Sequence, residues 1–340
     1  MNKSLVLLLL LAAWSCHPHP TDNYQKDRNQ VVDIHTQIKE IKIDNVLLHS
    51  YSFVYLCNDY LLISDSKSPD NQLYVFDKND FHYITGTAPK GQGPGEIANI
   101  GHLDTDEAHR RIYVSDHGKQ KIFSYALDSL VTFSAYLPEI KMNMNEQEFP
   151  STYQYFNDSV AIGVLIRPTG VYGFNQVSAR WNLSTGECFP MPDLHPEIEK
   201  KRYALAASLE DSLCVECDRQ HDLLTIRTLS GELKYDIYGP HWELDTKKRI
   251  AYFGEAIFCK HKIIVFYSGK ESFRKNRHGD PVTILPEKLM VFDLDGTYLK
   301  TWEVGQPLVN GCYDASNNRL ILSMDGEIQF GYLDLEGLID

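Results

Sequence analysis

The stretch that decides the fold reads RIYVSDHGK at residues 111–119. Its first half alternates in side-chain character with the two-residue period of a β-strand. Asp, His and Gly then end the run as a polar turn. Five other segments repeat this pattern, and such a repeat is typical of proteins built from one supersecondary unit. The six segments begin at residues 60, 111, 159, 212, 262 and 319.

Each of these segments lies within a group of β-rich runs. A run precedes it, as SYSFVYLCND (50–59) does in the first group, and another follows it, as QLYVFDKND (72–80) does. Most groups add a further run, for which FHYITGTA (81–88), VTFSAYL (131–137), ELKYDIYG (232–239) and TYLKTWEVG (297–305) are the candidates. Four-stranded all-β units at this period predict a six-bladed β-propeller.

The two ends of the chain are expected to meet in the last blade. The sixth group ends at residue 340, just after its third strand, so its fourth strand is missing. The run VVDIHTQIKEIKI (31–43) belongs to no other group, and we expect it to close the last blade as its outer strand, which would also remove an exposed sheet edge. A separate cap is the alternative.

The N-terminus reads MNKSLVLLLLLAAWSC. Its apolar run, residues 5–13, is far shorter than the ~20 residues that span a bilayer, so residues 1–15 are predicted to be a signal peptide. Small residues followed by Cys16 resemble a bacterial lipobox, and this resemblance implies cleavage before Cys16 and its lipidation. An ordinary secretory signal with a chance cysteine is the alternative.

The signal-peptide interpretation leads to two further predictions, a flexible tether and a cellular location. Residues 16–30 contain Pro18, Pro20 and several Asn and Asp residues, which predict a flexible tether before a propeller at residues 31–340. No acidic run follows Cys16, and His rather than Asp stands at position 17. These features favour the outer membrane, with the propeller on the periplasmic side rather than at the cell surface.

The segment GQGPGE at residues 91–96 lies between the first and second blades. Together with the repeats LLISD…LYVFD and RIYVSD…IFSY, it resembles bacterial lipoproteins that carry a TolB-like or NHL-like six-bladed β-propeller. The resemblance covers residues 31–340. It implies the fold and an envelope location, but a propeller does not by itself imply a function.

The overall charge and its local distribution point in opposite directions. Lys and Arg number 33 against 46 Asp and Glu, which gives a net charge of −13 and argues against nucleic-acid binding. Yet the turn after the repeated strand carries a basic residue in five of the six groups. This pattern predicts a positive ring at the channel mouth, although polar hairpin turns are the simpler explanation. The six residues are Lys67, Lys119, Arg167, Arg219, Lys270 and Glu327.

Three unusual connections are expected on the same face. Residues 88–96 add Lys90 and several glycines, whose exposed N–H groups are a common device for binding anions. Residues 166–172 form the second connection. Residues 269–286 form a long insertion with Arg274 and Arg277. The predicted ligand-binding residues are therefore Lys67, Lys90, Lys119, Arg167, Arg219, Lys270, Arg274 and Arg277. Tyr172, Tyr267, Phe273 and Trp302 are aromatic candidates for contact with a carbohydrate.

Catalytic and metal-binding readings have weaker support. Asp65, Asp116 and Asp218 end equivalent strands, where caps of turns are expected. His117, His221 and His278 lie in comparable loops, but no spacing selects them as a metal site. Cys214 and Cys217 have redox-motif spacing within a strand pattern, so they should face opposite sides and be buried. No GxSxG nucleophile motif is present. We therefore predict no catalytic residue, metal or cofactor.

These observations favour a monomeric, lipid-anchored propeller that binds without catalysis. The expected partner is an anionic glycan, a peptidoglycan fragment or an envelope protein, since Arg side chains bind carboxylates well. A glycan- or lactone-processing enzyme with its site in the propeller funnel is one alternative. A structural hub for protein interactions is the other.

Overall fold

The six repeated segments are the second strands of six sheets, which are arranged as the blades of a propeller. The computed structural model describes residues 21–133, 136–170, 173–191, 195–275 and 278–339. The predicted signal peptide and Cys16 lie outside these ranges. Blades are numbered in chain order, and blade 1 begins at Phe53.

The N-terminal segment supplies a short strand to each of three successive blades. Strand β1 (Asp22–Tyr24) runs parallel to the outer strand of blade 4, and β2 (Val31–Asp33) runs parallel to that of blade 5. A 3-10 turn (His35–Gln37) leads to β3 (Lys39–Glu40), the antiparallel outer strand of blade 6. Closure of the last blade by the N-terminal segment is thus confirmed through residues 39–40, whereas residues 31–33 of the same predicted strand pair with blade 5. Residues 21–30, part of the predicted tether, run along blades 4 and 5.

Each blade is an antiparallel sheet whose first strand lines the central channel. All six of the repeated segments form the predicted second strands. Blade 1 contains β4 (Phe53–Cys57), β5 (Tyr60–Ser64), β6 (Asn71–Asp77) and β7 (Tyr83–Pro89). Blade 2 contains β8 (Ile100–Asp106), β9 (Arg111–Asp116), β10 (Lys121–Ala126) and β11 (Glu139–Asn143). Blade 3 contains β12 (Phe149–Asn157), β13 (Val160–Pro168), β14 (Phe174–Trp181) and β15 (Cys188–Pro190).

Blades 4 and 5 are extended to five strands by β1 and β2. Blade 5 also carries the predicted insertion, which is built as a small hairpin. Blade 4 contains β16 (Tyr203–Ser208), β17 (Leu213–Asp218), β18 (Leu223–Thr228) and β19 (Leu233–Tyr238). Blade 5 contains β20 (Ile250–Cys259), β21 (Lys262–Glu271), β24 (Lys288–Asp293) and β25 (Tyr298–Glu303), with the hairpin strands β22 (Phe273–Lys275) and β23 (Pro281–Thr283) between β21 and β24. Blade 6 contains β26 (Leu308–Asp314), β27 (Arg319–Met324) and β28 (Phe330–Asp334), and β3 completes it.

One predicted strand is wrong. The run at residues 131–137 does not form the fourth strand of blade 2, because its start belongs to a short helix, α1 (Leu127–Thr132). Leu127 and Leu130 are buried on one side of this helix, at the spacing of a helical face. The outer strand of the blade is β11, farther along the chain. No described helix has both the length and the apolar character needed to cross a membrane.

The hydrophobic core consists of separate clusters between neighbouring blades. Side chains of blades 1 and 2 form one cluster, and each later pair forms its own, up to the cluster between blades 6 and 1. The alternating strands bury both faces in this way, since each sheet packs against two others. The ring leaves a channel at its centre, where the first strands converge.

Candidate ligand-binding site at the channel mouth

The central channel contains two adjoining cavities of about 310 and 250 Å³. The larger one is lined by the first strands of all six blades. The smaller one lies toward the end where these strands begin, and it is lined by residues such as Tyr51, Ser151 and Arg219. Both are lined by Phe53, Tyr55, His102, Thr152 and Glu255, so they lie next to each other along the channel. We call the smaller cavity the channel mouth.

Blade 1 gives the mouth an aromatic wall. Tyr51 lies in the bend before β4, whereas Phe53 and Tyr55 are alternate residues of β4 and fall on the same side of that strand. All three line the mouth. Tyr51 is 45% exposed, and its ring meets that of Phe53 edge-on with 5.5 Å between centroids.

Blades 4 and 5 contribute an ion pair to the mouth. Arg219 comes from the turn after β17 and Glu255 from β20, and Arg219 Nη2 lies 3.2 Å from Glu255 Oε1. Both side chains are partly exposed. Burial raises the pKa of Tyr51, while Arg219 lowers it and Glu255 raises it. The phenol of blade 1 therefore lies within electrostatic range of this pair.

His102, on β8, continues the aromatic lining. Its ring meets Tyr153 edge-on at 4.9 Å and Tyr55 at 6.2 Å between centroids. Nε2 lies 2.6 Å from the carbonyl oxygen of Tyr153, so that nitrogen carries the proton and donates it. Burial lowers the pKa of His102 to about 4. The imidazole is therefore neutral at physiological pH, and its ring forms part of the channel lining.

Asp104 lies deeper in the larger cavity. Its Oδ2 accepts a hydrogen bond from the backbone N–H of Tyr155. Burial nevertheless dominates and raises the pKa of Asp104 to about 8, because the charged form loses its hydration. The group is largely a neutral carboxylic acid at pH 7. It can donate a hydrogen bond into the cavity as well as accept one.

The glycine loop that we predicted to bind an anion, residues 88–96, is occupied by the carboxylate of its own Glu96. The carboxylate of Glu96 folds back into the glycine loop, where the N–H of Gly93 donates to Glu96 Oε2 at 2.6 Å. The packing is so close that a Cβ on Gly91 would lie 2.0 Å from the same oxygen. Lys119 Nζ donates to the carbonyls of Gly93 and Glu96, each at 2.8 Å. Lys119 therefore holds the loop in place.

The basic turn residues lie where the alignment of the repeats predicts, at or beside the turn between second and third strands. Their side chains, however, have internal partners. Arg167 pairs with Glu148, Lys270 Nζ lies 2.5 Å from Glu287 Oε2, and Arg219 is paired with Glu255 as described. In each pair the carboxylate neutralises the cation. The predicted positive ring is thus largely balanced by acids of the same face.

The remaining predicted residues are spread over the face. Lys67 and Lys90 are exposed near the turn of blade 1, where Lys90 Nζ donates to the carbonyl of Ser66 at 3.3 Å. Arg274 is exposed on the hairpin of blade 5. Arg277 lies outside the described residues, as does the predicted lipidation site Cys16. Of the seven predicted ligand-binding residues that the structure describes, Arg219 is the one that lines the mouth.

The aspartates at the strand ends cap turns, as expected. Asp116 accepts N–H groups from Gly118 and Lys119, and Asp218 accepts those of Gln220 and His221. Asp65 receives the N–H of Lys67. These carboxylates are used by the backbone and are not available as a catalytic pair.

The three candidate histidines do not form a metal site. Among the described residues, one group of side chains is close enough to hold a metal ion: Asp77, Asp80 and His82, in one turn of blade 1. This group includes none of the three candidate histidines. His221 Nδ1 instead lies 3.1 Å from Asp218, within a buried turn.

The six described cysteines are free thiols. Cys214 packs in the cluster between blades 3 and 4, whereas Cys217 packs between blades 4 and 5, so they face opposite sides of the sheet as predicted. Burial raises the pKa of Cys214 to about 12 and that of Cys57 to about 12. Such thiols are poor nucleophiles.

The aromatic candidates chosen by loop position lie elsewhere. Trp302 and Tyr267 are buried between blades, Phe273 is exposed on the hairpin, and Tyr172 lies outside the described residues. The aromatic and acidic residues of the channel were missed. Alternation in SYSFVYLCND was the available signal for the aromatic wall, but the sequence does not say which of its side chains reach the channel. The missed residues are Tyr51, Phe53, Tyr55, His102, Asp104 and Glu255.

Similarity to known proteins supports the fold and leaves the ligand open. The family model DUF5128, described as a 6-bladed beta-propeller, matches residues 26–158. No curated protein matches the chain. A solved member of the DUF4221 family from Bacteroides vulgatus is 11% identical with a TM-score of 0.57, covering 87% of this chain and 94% of that one.

Two other solved structures are similar over comparable lengths. A protein described as exported, from Bacteroides fragilis, is 13% identical with a TM-score of 0.54, covering 90% of this chain and 88% of that one. A luciferin-regenerating enzyme is 9% identical with a TM-score of 0.56, covering 87% and 93%. At such identities the likeness concerns the fold alone. The chain is thus a six-bladed β-propeller, similar over residues 26–158 to the DUF5128 propellers.

Proposed function

We propose that this protein is a non-catalytic binding module whose ligand enters the channel mouth. One observation carries the proposal: an aromatic wall from blade 1 faces an Arg–Glu pair from blades 4 and 5 across a cavity of about 250 Å³. Ligand sites commonly combine aromatic surface with a few convergent polar groups in such a concave space. The larger cavity behind the mouth gives a ligand further depth.

A binding role fits the ionisable groups better than catalysis does. Arg219 and Glu255 neutralise each other, His102 is neutral, and the turn carboxylates are occupied by backbone N–H groups. A glycan- or lactone-processing enzyme would need an acid and a base in position. The protonated Asp104 could supply the acid, but the carboxylate of Glu255, which lines the same cavity, is paired with Arg219. Product formation from any bound compound would favour that alternative.

The binding site is tested by a thermal-shift screen of the soluble propeller against glycans, peptidoglycan fragments and peptides. We expect a stabilising compound whose effect is lost in Tyr51→Ala and in Arg219→Ala. Arg274→Ala is the matched control, since it removes a predicted site residue on the hairpin that does not line the mouth. Stabilisation that persists in both mouth variants would overturn the proposal, as would the absence of any stabilising compound.

We further propose that the propeller is anchored to the outer membrane through Cys16 and faces the periplasm. The lipobox-like sequence supports this location. Metabolic labelling of cells with a clickable fatty acid should tag the protein, and Cys16→Ser should abolish the label. An unchanged protein that takes up no label, or a Cys16→Ser protein that keeps it, would contradict lipid anchoring. Protease protection in intact cells distinguishes the periplasmic side from the cell surface.

A further inference from the structure

We infer that the channel mouth takes an uncharged saccharide, whose ring stacks on the aromatic wall while its hydroxyls bind the Arg219–Glu255 pair. This inference rests on the proposed function and specifies its ligand class. The anionic ligand predicted from the basic turns is the competing outcome.

The aromatic wall provides the apolar half of such a site. Tyr51 is 45% exposed at the entrance, and Phe53 and Tyr55 line the channel farther inward. An aromatic face carries partial negative charge, so it attracts the C–H groups that line one side of a sugar ring. Tyr51, the exposed member of the wall, is the residue on which a sugar ring would stack.

The ion pair provides the polar half. A guanidinium has five N–H donors and a carboxylate has about four acceptor positions, while the described contact between Arg219 and Glu255 joins one nitrogen to one oxygen at 3.2 Å. Donors and acceptors therefore lie side by side at the mouth. A hydroxyl group both donates and accepts, so neighbouring hydroxyls of a sugar match such a pair.

The charge of the channel favours an uncharged ligand. Arg219 and Glu255 cancel, His102 is neutral, and Asp104 is largely protonated at pH 7. An anionic ligand would have to compete with Glu255 for Arg219 and would approach that carboxylate at close range. Like charges at such distances repel, particularly in a partly desolvated channel.

Several of the groups that would favour an anion already have partners within the protein, whereas Lys67, Lys90 and Arg274 are exposed away from the mouth. The glycine loop encloses the carboxylate of Glu96, and the amine of Lys119 is bound by two carbonyls of that loop. Arg167 and Lys270 each have a glutamate partner. These contacts lower the affinity that the basic turns could offer to an external carboxylate.

Isothermal titration calorimetry of the soluble propeller tests the inference. The probes are neutral gluco-, galacto-, manno- and N-acetylglucosamine trisaccharides, with trigalacturonate as the acidic counterpart. We expect a neutral trisaccharide to bind with an affinity that changes little between low and high salt. Tyr51→Ala should weaken it about tenfold or more, and Glu255→Ala should also weaken it. Tyr235→Ala is the control, because Tyr235 is a 37% exposed tyrosine on the outer strand of blade 4.

The outcomes separate the inference from the proposed function. Stronger binding of trigalacturonate, increased further by Glu255→Gln, would overturn the uncharged ligand while leaving a ligand at the mouth. Binding that Tyr51→Ala and Glu255→Ala both leave unchanged would overturn both. Failure of every probe would overturn the inference, and the wider screen would then decide the proposed function. Circular dichroism and melting curves verify that each variant is folded.

Discussion

The surroundings of Asp104 reverse the usual ionisation state of an aspartate at neutral pH. The folded chain favours the protonated carboxyl, with a pKa of about 8, because burial removes water from the charged form. In the unfolded chain the same group ionises near pH 4. Its contribution to folding stability is therefore fully present below about pH 4 and is lost as the pH rises toward 8. Like the neutral His102, it keeps the channel free of uncompensated charge at neutral pH.

This difference predicts a pH-dependent effect of Asp104→Asn. The amide oxygen can still accept the N–H of Tyr155, but the side chain cannot ionise. Relative to the unchanged protein, the melting temperature of the variant should rise by at least about 1 °C between pH 5 and pH 9. Differential scanning calorimetry at both pH values measures this. Asp70→Asn, on an exposed turn, should give no such trend, and a pH-independent difference for Asp104→Asn would contradict the assignment.

At the scale of elements, the N-terminal segment joins the outer edges of three blades. Its β1 strand lies on blade 4, β2 on blade 5 and β3 on blade 6. Between β1 and β2, the side chain of Arg28 points into the protein interior. Its Nη1 lies 2.7 Å from Asp222 Oδ1, and both side chains are almost fully buried. The guanidinium also lies 5.3 Å from the centroid of the Phe292 ring. This segment therefore fixes the outer edges of blades 4 and 5 to each other.

Arg28→Ala should destabilise the propeller strongly. It leaves the carboxylate of Asp222 buried without its cation, which typically costs about 3–5 kcal/mol. Chemical denaturation should give a clearly lower midpoint, and the added change Asp222→Asn should restore part of it by removing the buried charge. Lys26→Ala, an exposed cation of the same segment, is the control and should change the unfolding free energy by less than about 0.5 kcal/mol. Equal stability of the two single variants would show that the buried pair does not hold the segment.

At the scale of the whole molecule, the sequence was sufficient to predict the ring of blades. Each second strand carries an alternating pattern and ends in a turn, and both faces of every sheet are buried between blades, so the repeat is visible along the whole chain. The helix α1 was not predicted because its last two residues, 131 and 132, open a run that alternates like a strand, VTFSAYL at 131–137. The pairing of Gln25 with Gly296 joins residues 271 positions apart, which no local pattern encodes.

The site was predicted less fully, and the reason is physical. Arg219 could be named because basic residues recur at one turn position. Its partner Glu255 comes from another blade, so the cancellation of charge exists only in the folded ring. The same holds for Glu96, whose return into its own loop depends on glycine conformations that its sequence permits without dictating. The alignment of the repeats indicated cations on this face, whereas folding decided which of them keep their charge available.

A crystal structure of the propeller with the neutral trisaccharide that binds most tightly would test the saccharide site at the channel mouth most directly. We expect a sugar ring in the channel mouth, in contact with Tyr51 or Phe53 and with hydroxyls bound to Arg219 and Glu255. Sugar bound instead at the outer turns around Lys67 and Lys90, or on the hairpin around Arg274, with the channel mouth left to solvent, would contradict it.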